Sequence, residues 1–565
     1  VEVIKGGMKM PGNGATQARV LGLDAKDNVL VALTDLRKGE TVSYLGNEYV
    51  LLSDVSAKHK FLTRDVSAGG DVIMYGVLVG TTVESLRRGD LLSTRNIRHA
   101  AASFQETEVA GPHWNPPDVS AWANKTFLGY HRDDGQVGSR NYWLVLPLVF
   151  CENRNLAVLK QAFEEELGFA APQIYRSQVA ELARLYREGK SEELQKFAFG
   201  ERQRASASPK VFKNIDGIKF LLHEAGCGGT HEDARNLCGL LAGYIHHPNV
   251  AGATVLSLGC QHAQVPMLFE EIKHRDPNFK KRVLVYEQQK SPSEAAMMGK
   301  AIRETFLAMV EADKITRQPA PLSKLTLGLQ CGGSDGFSGL SANPAIGHVS
   351  DIISALGGIG ILSEFPELCG VEQQLIDRCA RKEVADRFAH LMREYAARAK
   401  AVRASFEMNP SPGNIRDGLL TDAMKSAGAA KKGGKSPVMA AVDYPEYCTE
   451  PGLNLQCTPG SDVESVSAQV GAGANVILFT TGLGTPTGNP IAPVLKISTN
   501  SNLAQRMSDI IDIDTGGIIT GETSIEEMGD VILERVIQVA SGEARTKAEL
   551  LGQDDFIPWK RGVSL

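Results

Sequence analysis

An apolar run that ends in a glycine-flanked cysteine occurs three times in this chain, and that device constrains the fold more than any other feature. Residues 218–222 lead through His223-Glu224-Ala225 to Gly226-Cys227-Gly228-Gly229, residues 255–258 lead to Gly259-Cys260, and residues 325–329 lead through Gln330 to Cys331-Gly332-Gly333. Short apolar runs bounded by breakers read as buried strands. Glycine at such an end lets the backbone turn sharply or approach a ligand closely. In open α/β sheets, ligands collect beyond the carboxyl ends of the strands. Three thiols delivered there can meet at one site, for which iron is a natural occupant. The same pattern also fits three packing residues, because free cysteine is a small hydrophobe that is often buried. The absence of a Cys-x-x-Cys pair and of Cys/His finger spacing argues against structural zinc.

The remaining composition narrows the class. A chain of 565 residues exceeds what one core holds, so about two to four domains are expected. With 43% hydrophobic and 22% charged residues it has the make-up of an ordinary globular protein. A net charge of −6 gives no general affinity for polyanions, so nucleic acid is not expected as a partner. Nine cysteines are too few for a disulfide framework in so long a chain, and the odd count suits reduced thiols in the cytoplasm. No apolar run reaches the ~20 residues of a membrane span, and Val1-Glu2-Val3-Ile4-Lys5 lacks a signal-peptide core.

Along the chain, residues 1–14 read as a tail. Residues 15–100 form a β-rich module, with strands expected at 29–33, 49–52 and 72–76 between glycine turns. This module carries Asp27-Asn28 and His59-Lys60. Residues 101–126 read as a linker pinned by Trp114. An α/β body follows in two lobes, 127–321 and 322–565, with alternating strands and helices that imply mainly parallel sheets. The strand at 142–149 ends at Cys151-Glu152-Asn153 and is preceded by Gly138-Ser139-Arg140-Asn141. Arg140 suits a two-point grip on a carboxylate, although a salt bridge is the commoner fate of arginine. Ser291-Pro292-Ser293-Glu294 reads as a helix start capped by Ser291. A long helix is expected over 371–402 and a mobile Lys/Gly/Ala loop over 425–437. Strands are expected at 438–442 and 475–479, the latter running into Thr480-Thr481-Gly482, whose hydroxyls and N–H groups suit an anion.

Taken in order, Gly138-Ser139-Arg140-Asn141, His223 with Gly226-Cys227-Gly228, Leu258-Gly259-Cys260, Leu329-Gln330-Cys331-Gly332-Gly333-Ser334-Asp335, Asn409-Pro410-Ser411-Pro412-Gly413-Asn414 and Thr480-Thr481-Gly482 resemble the sugar-acid dehydratases of the altronate/galactarate type, over roughly residues 20 to 530. The N-terminal module, with Asp27-Asn28-Val29 and His59-Lys60, resembles that family's SAF domain. The resemblance implies a cytoplasmic hydro-lyase that dehydrates an aldonate or aldarate, D-altronate before galactarate, to a 2-keto-3-deoxy acid. It also implies iron, as Fe²⁺ or a labile [4Fe-4S] cluster, with Mn²⁺ as the alternative. Cys227, Cys260 and Cys331 are the expected metal ligands. His59 and His223 are the expected acid/base pair in either order, with Arg140 fixing the carboxylate. Asp27, Asn28, Arg140, Asn141, Ser334, Asp335, Thr480, Thr481 and Gly482 are expected to contact the substrate. Leu483 stands where many relatives carry Arg. Other readings are a sulfolactate-type sulfo-lyase and a non-catalytic sugar-acid or iron sensor. The expected partner is a small sugar acid, with no nucleic acid or membrane, and a homo-oligomer is left open.

Overall fold

In the computed structural model, residues 18–105, 111, 114–170, 174–198 and 209–564 are described; the expected tail, and Pro112 and His113 of the linker, lie outside them. Residues 18–100 form the expected small β module. Its strands are two to six residues long and pair antiparallel in three small sheets, such as Val20–Leu21, Val29–Ala32 and Lys60–Leu62. Short strands suit this stretch because glycines with positive φ, among them Gly39, Gly69 and Gly89, reverse the chain every few residues.

The body holds two parallel sheets. In lobe one, β1 (Tyr142–Pro147), β2 (Gly217–Phe220), β3 (Val250–Ser257) and β4 (Arg282–Glu287) lie in the order β2-β1-β3-β4. In lobe two, β5 (Thr326–Cys331), β6 (Ile359–Leu362), β7 (Val438–Val442), β8 (Gly452–Gln456), β9 (Val476–Thr481), β10 (Val494–Ser498) and β11 (Ile513–Asp514) lie in the order β7-β8-β6-β5-β9-β10-β11. These strands are near-continuous apolar runs because helices cover both faces of each sheet. In each sheet the first strand has later strands on both sides, which makes β1 and β5 the topological switch points where ligands are expected.

One apolar core runs between the lobes, joining Leu144 and Leu241 to Ile361 and Phe479. Another joins the β module to lobe two, with Val29, Met74 and Val79 packed in the same cluster as Phe337, Leu340 and Met424. No helix among the described residues is long and apolar enough to cross a membrane.

Three local expectations are corrected. The stretch 425–437 is not a mobile loop: it continues the helix Asp422–Ala429 and a 3-10 turn, Ala430–Gly433, and most of it is buried. Lys425 and Lys432 face inward to Glu367 and Glu364, while Lys431 and Lys435 stay exposed, so half the charge of a composition that reads as solvated lies in the core. The expected helix at 371–402 is two, Glu372–Ile376 and Lys382–Ala401, broken where the Cys379 strand-like backbone pairs with Val438. The helix Glu294–Ala312 is capped by Ser293, whose hydroxyl accepts from Ala296 N, and not by Ser291.

Candidate functional site

At the switch point of lobe two, β5 delivers Cys331 into a cluster of buried charges. The residue is 2% exposed, and its sulfur takes a hydrogen bond from Lys432 Nζ at 2.8 Å and lies 3.4 Å from Glu367 Oε2 and 3.7 Å from Glu364 Oε2. Lys432 Nζ also meets Glu364 Oε2 at 2.7 Å, and Gln330 donates to Glu364 Oε1 at 2.7 Å. Lys425 Nζ pairs with Glu367 at 2.6 Å and donates to Asn409 Oδ1 at 3.0 Å. Glu364, just past β6, holds φ at +66°, a left-handed conformation that costs a non-glycine residue about 1–3 kcal/mol and recurs at functional sites. The amide Nδ2 of Asn409 is buried without an acceptor, a donor left open for a ligand oxygen.

The electrostatics follow from burial. Dehydration pushes the Cys331 thiol and the Glu364 carboxyl up, with the neighbouring Glu367 charge adding to the second. Burial opposes the charge on Lys425 and Lys432, but the carboxylates beside them outweigh it and hold both above the ordinary lysine range. Asp462 lies against Gly332, where an added Cβ would come within 2.3 Å of Asp462 Oδ2. Burial, then the charges of Glu364 and Glu367, raise its carboxyl to about 7. A carboxyl there exchanges a proton at neutral pH.

The β module reaches the loop that follows. Lys58 Nζ bridges Asp335 Oδ2 at 3.0 Å and Asp417 Oδ1 at 2.8 Å. His59 Nε2 lies 3.1 Å from Arg416 O, and Lys60 Nζ donates to Gly418 O at 2.7 Å. Burial lowers the His59 imidazole and brings Lys60 to about 7. The docking needs glycine opposite it: a Cβ on Gly336 would lie 2.5 Å from Lys58 O, and one on Gly418 2.4 Å.

The loop holding Ser334 and Asp335 and the end of β9 with Thr480, Thr481 and the following Gly482 meet at this same end. Asn414, held by its Ser411 capping box, donates to Ser334 O at 2.7 Å. Asp335 also accepts from Thr499 Oγ1 and Asn500 Nδ2. Thr480 donates to Asn343 at 2.6 Å, Thr481 Oγ1 accepts from Gly484 N and Thr485 N, and Gly482 N donates to Gly333 O.

Other expected residues lie elsewhere. Arg140 and Asn141 precede β1, at the opposite end of the sheet from the switch-point loops. The Arg140 guanidinium is consumed by Glu549, at 2.8 and 3.0 Å, and by the carbonyls of Ser139 and Val539. Asn141 donates to Asn214 O and Ala312 O and accepts from Arg132. His223 is buried with both ring nitrogens engaged, by Pro147 O at 2.9 Å and Ala225 N at 3.1 Å, and burial lowers it to about 4. Asn28 bonds Asp71 O and Ile73 N, and Asp27 accepts from Gly76 N, so both tie turns within the β module. Cys227 and Cys260 are exposed on the rim of lobe one, whereas Cys331 is enclosed by Glu364, Glu367 and Lys432, in a close group that neither of the other two thiols joins.

Sequence reasoning missed Glu364, Glu367, Lys425, Lys432, Asp462 and Lys58. The signal available was Glu364 directly after a strand, the position that also singled out Cys331. Nothing local marks the two lysines, which lie in a stretch that reads as a surface loop.

Comparison with known proteins covers nearly the whole chain. Residues 18–100 match the altronate/galactarate dehydratase SAF domain, residues 129–313 the second domain of D-galactarate dehydratase/altronate hydrolase, and residues 322–564 the C-terminal domain of D-galactarate/altronate dehydratase. The chain is 31% identical to altronate dehydratase of Escherichia coli strain K12 over 96% of its own length and 99% of the relative's. It is 31% identical to altronate dehydratase of Bacillus subtilis strain 168 over 92% and 94%. To galactarate dehydratase (L-threo-forming) of E. coli K12 it is 28% identical over 93% of each chain.

Proposed function

The chain belongs to the D-galactarate/altronate dehydratase family and is a sugar-acid hydro-lyase, and from that premise we propose that it dehydrates D-altronate to 2-dehydro-3-deoxy-D-gluconate at the strand ends of lobe two. The observation that carries the site is the buried set of Cys331, Glu364, Glu367, Lys425 and Lys432, with Asp462 at about 7 beside it. The choice of altronate rests on the two altronate dehydratases, which are more similar to this chain than the galactarate enzyme is.

The reaction removes the proton α to a carboxylate, expels the neighbouring hydroxyl as water, and lets the resulting enol become a ketone. The α-proton is weakly acidic, so the developing enediolate needs fixed positive charge. Lys425 and Lys432 supply it in a dehydrated site, where charges act most strongly. Asp462 in its ionised form takes the α-proton. The departing hydroxyl is protonated from the β-module loop, where burial lowers the His59 imidazole and brings Lys60 to about 7. The free amide of Asn409 donates to a substrate oxygen. The cluster is closed in this conformation, so entry requires the covering segment around Asn409 to Asp417 and the docked β module to part, and their return excludes water.

Iron, when bound to a dehydratase, polarises substrate oxygens and stabilises the enediolate. The lobe-two donors fit it poorly. Glu364 and Glu367 are already matched in charge by two ammonium groups within 2.7 Å, and a dication would sit beside both.

The test is turnover of D-altronate, D-galactarate and other sugar acids by anaerobically prepared enzyme, read as 2-keto-3-deoxy acid formation. D-altronate is expected to give the highest kcat/KM. Preference for an aldarate reassigns the substrate, and loss of no activity in Lys432→Met removes the site from lobe two.

A further inference from the structure

Free cysteine is normally buried. Among the nine cysteines here five are buried and one is half-buried, and the three exposed ones are Cys151, Cys227 and Cys260. All three follow the carboxyl ends of adjacent strands, β1, β2 and β3, with Cys151 on the switch-point strand. The loops that carry them are tied to one another. Phe150 N donates to Ala225 O at 3.1 Å, and Asn153 Nδ2 to His223 O at 2.9 Å, joining the loop after β1 to the loop after β2. His262 N and Ala263 N donate to Gly226 O at 3.0 and 3.2 Å, joining the loop after β2 to the loop after β3. Gly226, with φ at +103°, makes this possible, because a Cβ there would lie 2.1 Å from Leu148 O. Gln289 Nε2 donates to Cys260 Sγ at 3.2 Å, the kind of N–H···S bond that tunes a bound cluster.

We propose that Cys151, Cys227 and Cys260 together hold a [4Fe-4S] cluster on the rim of lobe one. Each thiol loses its proton as its sulfur bonds an iron, and three cysteines leave the fourth iron without a protein thiolate. A single ion is the poorer fit. With metal–sulfur bonds of about 2.3 Å, one ion needs its donors packed tightly together. Among the described residues the only tight thiol, imidazole and carboxylate groups are Cys331-Glu364-Glu367 and Asp134-His246-Asp276, and neither contains these sulfurs. A cubane spaces its cysteine ligands more widely. In contrast to Cys331, none of the three has a lysine bonded to its sulfur among the described residues. His262 and Lys560 line the cleft beside Cys227, which places an imidazole and a cation at that thiol. The proposal stands apart from the dehydratase reading, because iron and sulfide are counted without turnover.

The experiment uses the full chain made and purified without oxygen. Wild type is expected to carry about four irons and four acid-labile sulfides per chain, with thiolate-to-iron absorption. Cys151→Ser, Cys227→Ser and Cys260→Ser are each expected to lose that band and most of the iron, while Cys331→Ser keeps both. A second readout needs no variant. In apo protein an alkylating reagent is expected to label Cys151, Cys227 and Cys260, and reconstitution with iron and sulfide is expected to protect those three together. Iron without sulfide, full cluster content in Cys151→Ser, or failure of reconstitution to protect Cys151 would overturn the assignment.

Discussion

Asp462 combines a stability cost with a catalytic use, and the two can be separated. Its carboxyl is raised from 3.8 to about 7 by burial and by Glu364 and Glu367, so folding favours the protonated form. Its contribution to stability is complete below the unfolded value near 4 and is lost as pH rises through 7, a penalty of roughly 4 kcal/mol at most from the size of the shift. Asp462→Asn is therefore expected to melt at least as high as wild type at pH 8. The same variant should lose about a hundredfold or more in kcat if the carboxylate is the base, and the rise of wild-type kcat with pH through about 7 should disappear. A variant that keeps that pH limb removes Asp462 from the chemistry. Arg140 behaves in the opposite way. It was legible as a carboxylate grip, and it does grip one, but the carboxylate is the chain's own Glu549. Burial would raise Glu549, yet the Arg140 charge and hydrogen bonds hold it at about 2. That stabilisation is present above the usual carboxyl value and lost as pH falls from about 4.5 towards 2. Arg140→Lys cannot keep both bonds, and breaking a buried pair costs roughly 3–5 kcal/mol. The expected result is a lower Tm with KM unchanged for the folded fraction, measured by calorimetry and kinetics on one preparation.

The β module's loop around Lys58 to Lys60 and the lobe-two segments around Gly336 and Gly418 act as a pair of docked elements. Gly336→Ala drives a methyl group into Lys58 O at 2.5 Å, where backbone faces backbone and neither can yield cheaply. The docked contact of Lys58 with Asp335 and Asp417 should then open, which is expected to speed proteolysis of the β module and lower turnover. His59→Ala leaves the docking bonds of Lys58 and Lys60 intact, so a fall in kcat with no change in proteolysis marks a catalytic role, and wild-type kinetics reduce His59 to a packing residue. The element types were largely readable, because apolar runs and glycine punctuation are local signals. The stretch 425–437 was not, since its inward-facing Lys432 is distinguished from a surface lysine only by Glu364, some 70 positions earlier in the chain.

At the scale of the molecule, the β module and lobe two share one apolar core, and Thr421 Oγ1 bonds Val79 O across the boundary at 2.6 Å. Removing residues 1–100 uncovers Phe337, Leu340 and Met424, so the truncated chain is expected to melt several degrees lower and to associate. An unchanged Tm for that truncation, by scanning calorimetry, would mean that the module is only loosely attached. The amino-acid sequence alone determined the parallel α/β body, the β-rich module, the family, and the arrival of Cys227, Cys260 and Cys331 at strand ends, because periodicity, breakers and motif order are written along the chain. Tertiary structure decided which strand ends share a sheet. It set Cys331 in lobe two among lysines and carboxylates, and set Cys151 after the strand that lies between those leading to Cys227 and Cys260. It also gave the Arg140 guanidinium and the His223 ring partners within the chain. The physical reason is that partners and burial are properties of contacts between distant segments: a side chain's charge, accessibility and role depend on which strand lies next to its own, and no local pattern records that.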